Sequence, residues 1–371
     1  MLTETHALIG TTPGLRAELN VLRFGGAGSG PKVAIQAALH ADEVPALLVA
    51  QCLRERLAAL EAQGQLLGEV RLLPVANPIG LGQRVLGHHE GRFDLRDGLN
   101  FNRGFSDLAA RVPDGVHNAL GADPAANVAT LRRALREAVL ALPVQTPTAH
   151  LKQQLLLNAV ECDIVLDLHC DSDAVVHLYA LDVHAPLVAE LGARLGAQAV
   201  LLAMDSGDGP FDEACSRPWI LLQQRWPDFP IPPACFAATV ELRGETDVGF
   251  AQADADAEAL IGFLRARGVV AGAADAPPPP RCKATPLSAS EPIHAPHAGI
   301  VVFQATPGQS LAAGDLVATL VDPTTGRRTA LHTEGGGLMY ARIATRWAAA
   351  GQRLAKVAGQ TLRRSGNLLS A

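Results

Sequence analysis

Lys32-Val33-Ala34-Ile35-Gln36-Ala37-Ala38-Leu39-His40-Ala41-Asp42-Glu43-Val44-Pro45 carries a strand, a polar loop and a helix start in immediate succession. The run from Lys32 to Leu39 is apolar and strand-like, and it breaks at His40-Ala41-Asp42-Glu43. From Pro45 to Leu60 the chain is rich in Ala and Leu, with charges clustered at Arg54 to Arg56, and reads as a helix. The pattern recurs. A second apolar run, Val70 to Val75, ends at Asn77-Pro78, where the residue before proline is pushed out of helical space. Residues 125–160 read as helical, and Asp163 to Leu168 is a short β-branched and apolar run that ends at His169. Strands alternating with helices predict an α/β fold, a mixed and mostly parallel sheet covered by helices on both faces. Ligands collect at the carboxyl ends of the strands in such sheets.

Upstream, residues 15–24 read as another strand, joined to the Lys32 run by a Gly-rich link, Gly25 to Gly30. Two strand-like runs with glycines between them predict a hairpin. A phosphate loop does not fit, because no Gly-Lys-Ser/Thr follows and the link precedes a strand. Downstream, Ala271 to Pro280 (AGAADAPPPP) cannot continue a helix or a central strand and reads as a semi-rigid spacer. It divides the chain into an expected catalytic domain, residues 1–275, and a second domain, residues 281–371. From Ile293 to Ala358, apolar runs alternate with Pro-Gly, Ala-Gly-Asp and Pro-Thr-Thr-Gly turns, the pattern of a small all-β barrel or sandwich.

Composition narrows the function. The 371 residues are 48% hydrophobic, 4% aromatic and 18% charged, with 35 Gly and 25 Pro, which fits a turn-rich globular protein rather than disorder. A net charge of −6 with no long run of like charges argues against a nucleic-acid surface. No segment reaches the roughly 18 uninterrupted apolar residues of a spanning helix, and Met1 to Gly10 lacks the pattern of an export signal. A cytoplasmic protein is expected. Cys52, Cys162, Cys170, Cys215, Cys235 and Cys282 are scattered singly, so neither a disulfide framework nor a thiolate zinc cluster is indicated.

The chemistry gathers at the predicted strand ends. His40 and Glu43 share a tight loop, and His169 follows another strand. Two imidazoles and one carboxylate with an open position form the ligand set of a catalytic zinc, against the alternative of a surface turn and a buried structural histidine. In Ala238-Thr239-Val240-Glu241-Leu242-Arg243 a glutamate interrupts an apolar strand. A carboxylate there is destabilising unless it is paired or functional. It can serve as a general base beside a metal-activated water, or it can pair with Arg243 or Arg103. Gly91-Arg92-Phe93-Asp94 and Asn100-Phe101-Asn102-Arg103 supply arginines suited to holding a carboxylate or a developing oxyanion.

His40-x-x-Glu43, Asn77-Pro78, Asn102-Arg103, Asp167-Leu168-His169 and the Val240-Glu241-Leu242-Arg243 strand come in the order and approximate spacing of the zinc carboxypeptidase superfamily. Within it the chain resembles the succinylglutamate desuccinylase/aspartoacylase family over roughly residues 30–265. The resemblance implies a zinc carboxypeptidase-like catalytic domain with one zinc per chain held by His40, Glu43 and His169. It further implies Glu241 as the catalytic base, Asn102 and Arg103 gripping a substrate carboxylate, and an upstream arginine polarising the scissile carbonyl. Arg92 is the choice for that role and Arg96 its competitor.

Two departures from the family pattern stand out. The acidic residue often found two positions before the Asn-Arg pair is here Asn100, at the end of a long Asp97-Gly98-Leu99 approach. A carboxylate orienting the zinc-bound histidine is thus absent at that position, with Asp167 as a substitute. The C-terminal stretch resembles a biotinyl/lipoyl-type barrel sandwich, but Asp322-Pro323-Thr324-Thr325-Gly326 occupies the tip where the modified lysine would stand. His294 and His297 are weak metal candidates, and Tyr340 is read as core rather than site.

The expected activity is a zinc-dependent amide hydrolase that removes an acyl group from a small N-acyl amino acid or amine. The alternatives are a zinc carboxypeptidase acting on short peptides and a non-enzymatic binding module. Nucleic acid and membrane are not expected partners, and a homo-oligomer is left open. A serine hydrolase is excluded by the lack of a Gly-x-Ser-x-Gly elbow.

Overall fold

The computed structural model describes residues 1–10, 12–26, 28, 30–362 and 364–368. Nine strands build the large sheet: β1 (Leu2–Ala7), β2 (Glu18–Phe24), β3 (Lys32–Ala37), β4 (Glu69–Leu73), β5 (Ile164–Asp171), β6 (His177–Ala180), β7 (Ala199–Leu202), β8 (Phe236–Gly244) and β9 (Ala284–Pro286). Their order is β1-β2-β4-β3-β5-β8-β6-β7-β9. The centre, β4-β3-β5-β8, is parallel, while β1 and β2 add an antiparallel edge. The expected mixed, mostly parallel sheet is present.

Helices cover both faces because the central strands are apolar on both. On one side Val33, Ile35, Leu166, Leu168 and Val240 pack against α1 (Pro45–Ala62), α4 (Ala185–Leu195) and α6 (Phe250–Ala266). On the other, Ala34 and Val165 meet α2 (Pro124–Leu140), α3 (Pro147–Ala159) and α5 (Phe211–Arg225). The strand period of two places Gln36, Asp167 and Thr239 in one lateral row of that second face, with His169 and Glu241 in the next row toward the strand ends.

The glycine link does not close a hairpin. β2 and β3 are not neighbours, since β4 lies between them, antiparallel to β2 and parallel to β3. Its two ends, Gly25 and Gly30, instead lie tightly against the chain entering β4. A Cβ on Gly25 would stand 2.1 Å from the Gly68 carbonyl oxygen, and one on Gly30 would stand 2.1 Å from that of Leu67. Glycine is needed there for close backbone approach rather than for a two-residue turn.

Beyond the proline stretch the chain first returns to the large sheet as β9, parallel to β7. Only then does it build two antiparallel sheets around Val301, Val317, Leu320, Met339 and Leu354. The first holds the strands Ser290–His294, Arg353–Ala358, Gly337–Arg342 and Ser310–Leu311; the second holds Arg328–His332, Leu316–Val321, Gly299–Phe303 and Trp347–Ala348. Asp173–Ala174, just past β5, pairs with Gly337–Arg342 and ties this unit to the large sheet. No helix among the described residues is long and apolar enough to cross a membrane.

Candidate active site

His40 and Glu43 occupy the loop between β3 and α1, at the carboxyl end of the sheet. The loop lies directly on the segment that carries Arg92. Ala41 N donates to the Gly91 carbonyl at 3.0 Å, and a Cβ on Gly91 would come within 2.1 Å of Asp42 N. That contact delivers Arg92 Nη1 to 3.2 Å from Glu43 Oε1 and 3.1 Å from His40 Nδ1. Asn77, which caps the helical turn Pro78–Leu81, braces the loop from below by donating from Nδ2 to the Leu39 carbonyl at 2.9 Å.

His169 stands within β5 rather than after it, since the strand runs on to Asp171. His40, Glu43 and His169 converge: each offers one ligand atom, and these atoms lie within 4.8 Å of one another in a buried cluster. His40 Nδ1 faces Glu43 Oε1 at 2.8 Å, and His169 Nδ1 faces Glu43 Oε2 at 2.7 Å. The far ring nitrogens each have a polar oxygen beside them. His40 Nε2 meets Asn100 Oδ1 at 2.9 Å, and His169 Nε2 lies 2.9 Å from Asp167 Oδ2. The Asn100 oxygen on Nε2 places the His40 ring proton there and leaves its Nδ1 lone pair directed at the Glu43 carboxylate. Two imidazoles and one carboxylate that meet in a buried site form a donor set that fits a divalent metal with nitrogen and oxygen ligands.

Asn100 therefore does not leave the position empty, as the missing carboxylate suggests. Its amide oxygen takes over the orienting contact to His40, while Asp167, itself held by Gln36 Nε2 at 2.9 Å, serves His169. Burial, with Arg92 adding, lowers His40 to about 4. For His169 burial acts downward, but the charges of Asp167 and Glu43 outweigh it and raise the imidazole well above its ordinary value.

Glu241 is directly across from His169 in the parallel register of β8 and β5. Burial, then repulsion from Glu43, pushes its carboxyl up to about 8. Its Oε2 is buried without a hydrogen-bond partner. Arg243 is not its counterion, because that guanidinium is bound to Asp256. Asn102 Nδ2 sits 3.4 Å from His169 Nε2, and Asn102 Oδ1 accepts from Phe211 N at 2.9 Å. Arg103 Nη1 donates to the Asn102 carbonyl at 2.7 Å. Arg96 points elsewhere, donating to Asp94 through Nε at 2.8 Å and Nη2 at 2.6 Å.

His40, Glu43, His169, Arg92, Asn102, Arg103 and Glu241 all line one cavity of about 460 Å³. Its opposite wall is built by the C-terminal unit, including Arg342, Arg353 and Lys356. Lys356 forms an ion pair with Asp171, two residues beyond His169 on the same strand face. Asp171 carried a readable signal in that spacing, but Lys356 had none, because the pair is 185 residues apart. Tyr340 is buried beneath the wall, bonded to Ser290 Oγ at 2.8 Å. His294 and His297 do not line the cavity, and His297 Nε2 bonds Thr329 Oγ1 at 2.8 Å.

A β/α sheet with a two-histidine, one-carboxylate cluster at its carboxyl end defines a metallohydrolase-like scaffold, and residues 29–221 match the succinylglutamate desuccinylase/aspartoacylase catalytic domain. The chain belongs to the succinylglutamate desuccinylase/aspartoacylase family. Among solved structures it is similar to a protein assigned to that family from Shewanella amazonensis, at 28% identity and a TM-score of 0.84, over 96% of this chain and 98% of that one. A second, from Shewanella frigidimarina, has 25% identity and a TM-score of 0.86, over 96% and 97%. The product-bound ectoine utilization protein from Ruegeria pomeroyi shares the fold at 15% identity and a TM-score of 0.66, over 97% and 95%. No curated protein matches the sequence.

Proposed function

We propose that the protein is a zinc-dependent deacylase that releases an acyl group from the nitrogen of a small N-acyl amino acid. One observation carries the reading: an unpartnered, buried Glu241 carboxylate oxygen shares a cavity with the convergent His40, Glu43 and His169. Those three residues would hold one zinc per chain. When bound, the ion supplies a Lewis acid that polarises water and the amide carbonyl.

The Glu241 carboxylate takes a proton from water as the water oxygen attacks the carbonyl carbon, then returns that proton to the leaving nitrogen as the carbon–nitrogen bond breaks. Arg92, poised beside Glu43 and His40, stabilises the negative charge that develops on the carbonyl oxygen. Arg103 pairs with the free carboxylate of the substrate, and Asn102 fixes the backbone from which Arg103 reaches out. A volume of about 460 Å³, walled by the C-terminal unit, suits a small molecule better than a peptide. Residues 1–275, completed by the strand Ala284–Pro286, thus act as the catalytic domain and the remainder of residues 281–371 as its wall. The six cysteines are free, which suits a reducing cytoplasm.

The test is metal analysis of the purified protein joined to a panel of acetyl, succinyl and larger acyl derivatives of amino acids, with short peptides alongside. About one zinc per chain and cleavage of N-acyl amino acids in preference to peptides is the expected result. A protein that takes up no divalent metal, or that cleaves only peptides, overturns the reading.

A further inference from the structure

Away from the metal cluster, the same cavity wall holds a second polar group at the start of α5. Asp212 and Glu213 are each 6% exposed, and Ser206 is 2% exposed; all three line the cavity. Glu213 Oε1 accepts from Ser206 N at 2.8 Å. The other carboxylate oxygen, Oε2, is buried without a hydrogen-bond partner, and the buried Ser206 hydroxyl stands close enough to the carboxylate to temper its charge. Among the described residues neither Asp212 nor Glu213 is in a salt bridge, and the nearby Arg217 is taken by Asp205 at 2.6 Å.

Acidic residues at a helix N-terminus are ordinary when solvated, because they complement the helix dipole. Here they are buried side by side. Burial comes first, followed by repulsion from Asp167 for Asp212 and from Asp212 for Glu213, and the two rise to about 6 and about 7. A buried acceptor with no donor destabilises the fold unless a ligand supplies one. Asp212 lies within the field of Arg103, while Glu213 Oε2 has no donor and its residue lines the cavity.

We infer that Glu213 Oε2 and Ser206 Oγ, with Asp212 beside them, form a subsite for a second nitrogen of the substrate, an ammonium group on the amino acid side chain. The preferred product is then a diamino acid rather than a dicarboxylic one. The assignment rests on the deacylase reading for its substrate frame.

The experiment compares Nα-acylornithine, N-acylnorvaline and N-acylglutamate, each with the acyl group that the panel above selects, on the full chain and on Glu213→Gln and Ser206→Ala. The wild type is expected to favour the ornithine derivative over the norvaline derivative. That ratio of kcat/KM should fall roughly tenfold or more in either variant, as for a site that loses its partner to a substrate polar group. An equal or glutamate-preferring wild type, with ratios unchanged in the variants, overturns the subsite. Calorimetry with free ornithine and norvaline keeps the two readings apart. Should no N-acyl amino acid be cleaved, ornithine binding that weakens in Glu213→Gln still supports the subsite, and equal binding of both amino acids overturns it. Thermal melts establish folding, and Ser206→Ala carries the test if Glu213→Gln does not fold.

Discussion

Glu241 and His169 are register partners on adjacent parallel strands, so the carboxylate and the imidazole leave the sheet on the same face and in the same row. Their spacing is set by strand pairing rather than by loops, which favours precise placement of a base beside a ligand.

Glu241→Gln keeps the size and hydrogen-bonding shape of the side chain but cannot accept a proton. We expect kcat to fall about 10²–10⁴-fold, with bound zinc unchanged by metal analysis. Turnover near wild type at equal metal content removes Glu241 from the role of base.

Asn100 orients His40 through a neutral amide oxygen. Asn100→Leu should weaken zinc binding about 10–100-fold, read by competition with a chelating indicator, whereas Asn100→Asp should retain or tighten it. Equal affinity in the leucine variant means that the contact does not position the ligand.

Lys356 and Asp171 join the C-terminal unit to the end of β5 across a largely buried interface. Burial alone would raise Asp171, but the Lys356 ammonium holds it well below the usual carboxylate range. Lys356→Met strands that carboxylate and should lower stability by about 3–5 kcal/mol. The double variant with Asp171→Asn should recover part of the loss, as measured by urea unfolding. Additive losses in the cycle would show that the two groups act independently.

Asp94 anchors the Arg96 side chain and accepts from Thr148 Oγ1 at 2.5 Å. Burial acts upward on its pKa, but the bonds from Arg96 and Thr148 win and bring it down to about 2 from 3.8. A depressed carboxylate stabilises the fold above its unfolded value, so this contribution is complete above about pH 4 and fades as the pH falls toward 2. Asp94→Asn should lose about 1 kcal/mol at pH 7, a modest figure because the Arg96 side chain is 39% exposed. The gap from wild type should close near pH 2, and a gap that stays constant with pH would assign it to packing alone.

Much of the site was legible because it sits where apolar strands end in polar residues. His40, Glu43 and His169 announce themselves as charged or ionisable groups at the end of hydrophobic runs, and Glu241 as an acid inside one. The order of the first strands was not legible. Gly25 to Gly30 has the composition of a turn, and its true role depends on residues 67–68, which no local pattern reveals. The Asn100 contact is not legible because an amide differs from a carboxylate in charge, although acceptance of one hydrogen bond is all that the His40 ring requires. Lys356, Arg353 and Arg342 lay beyond reach for a different reason. Strand composition reports burial and alternation, not which distant edge a strand will meet.

Because β9 follows the proline run, Ala271 to Pro280 is a misleading place to divide the polypeptide. Separating the halves there takes away the last strand of the nine, uncovering the backbone of β7 beside the fully buried Leu201. An open edge of that kind invites self-association of the severed piece. The C-terminal half is therefore not a transferable cassette.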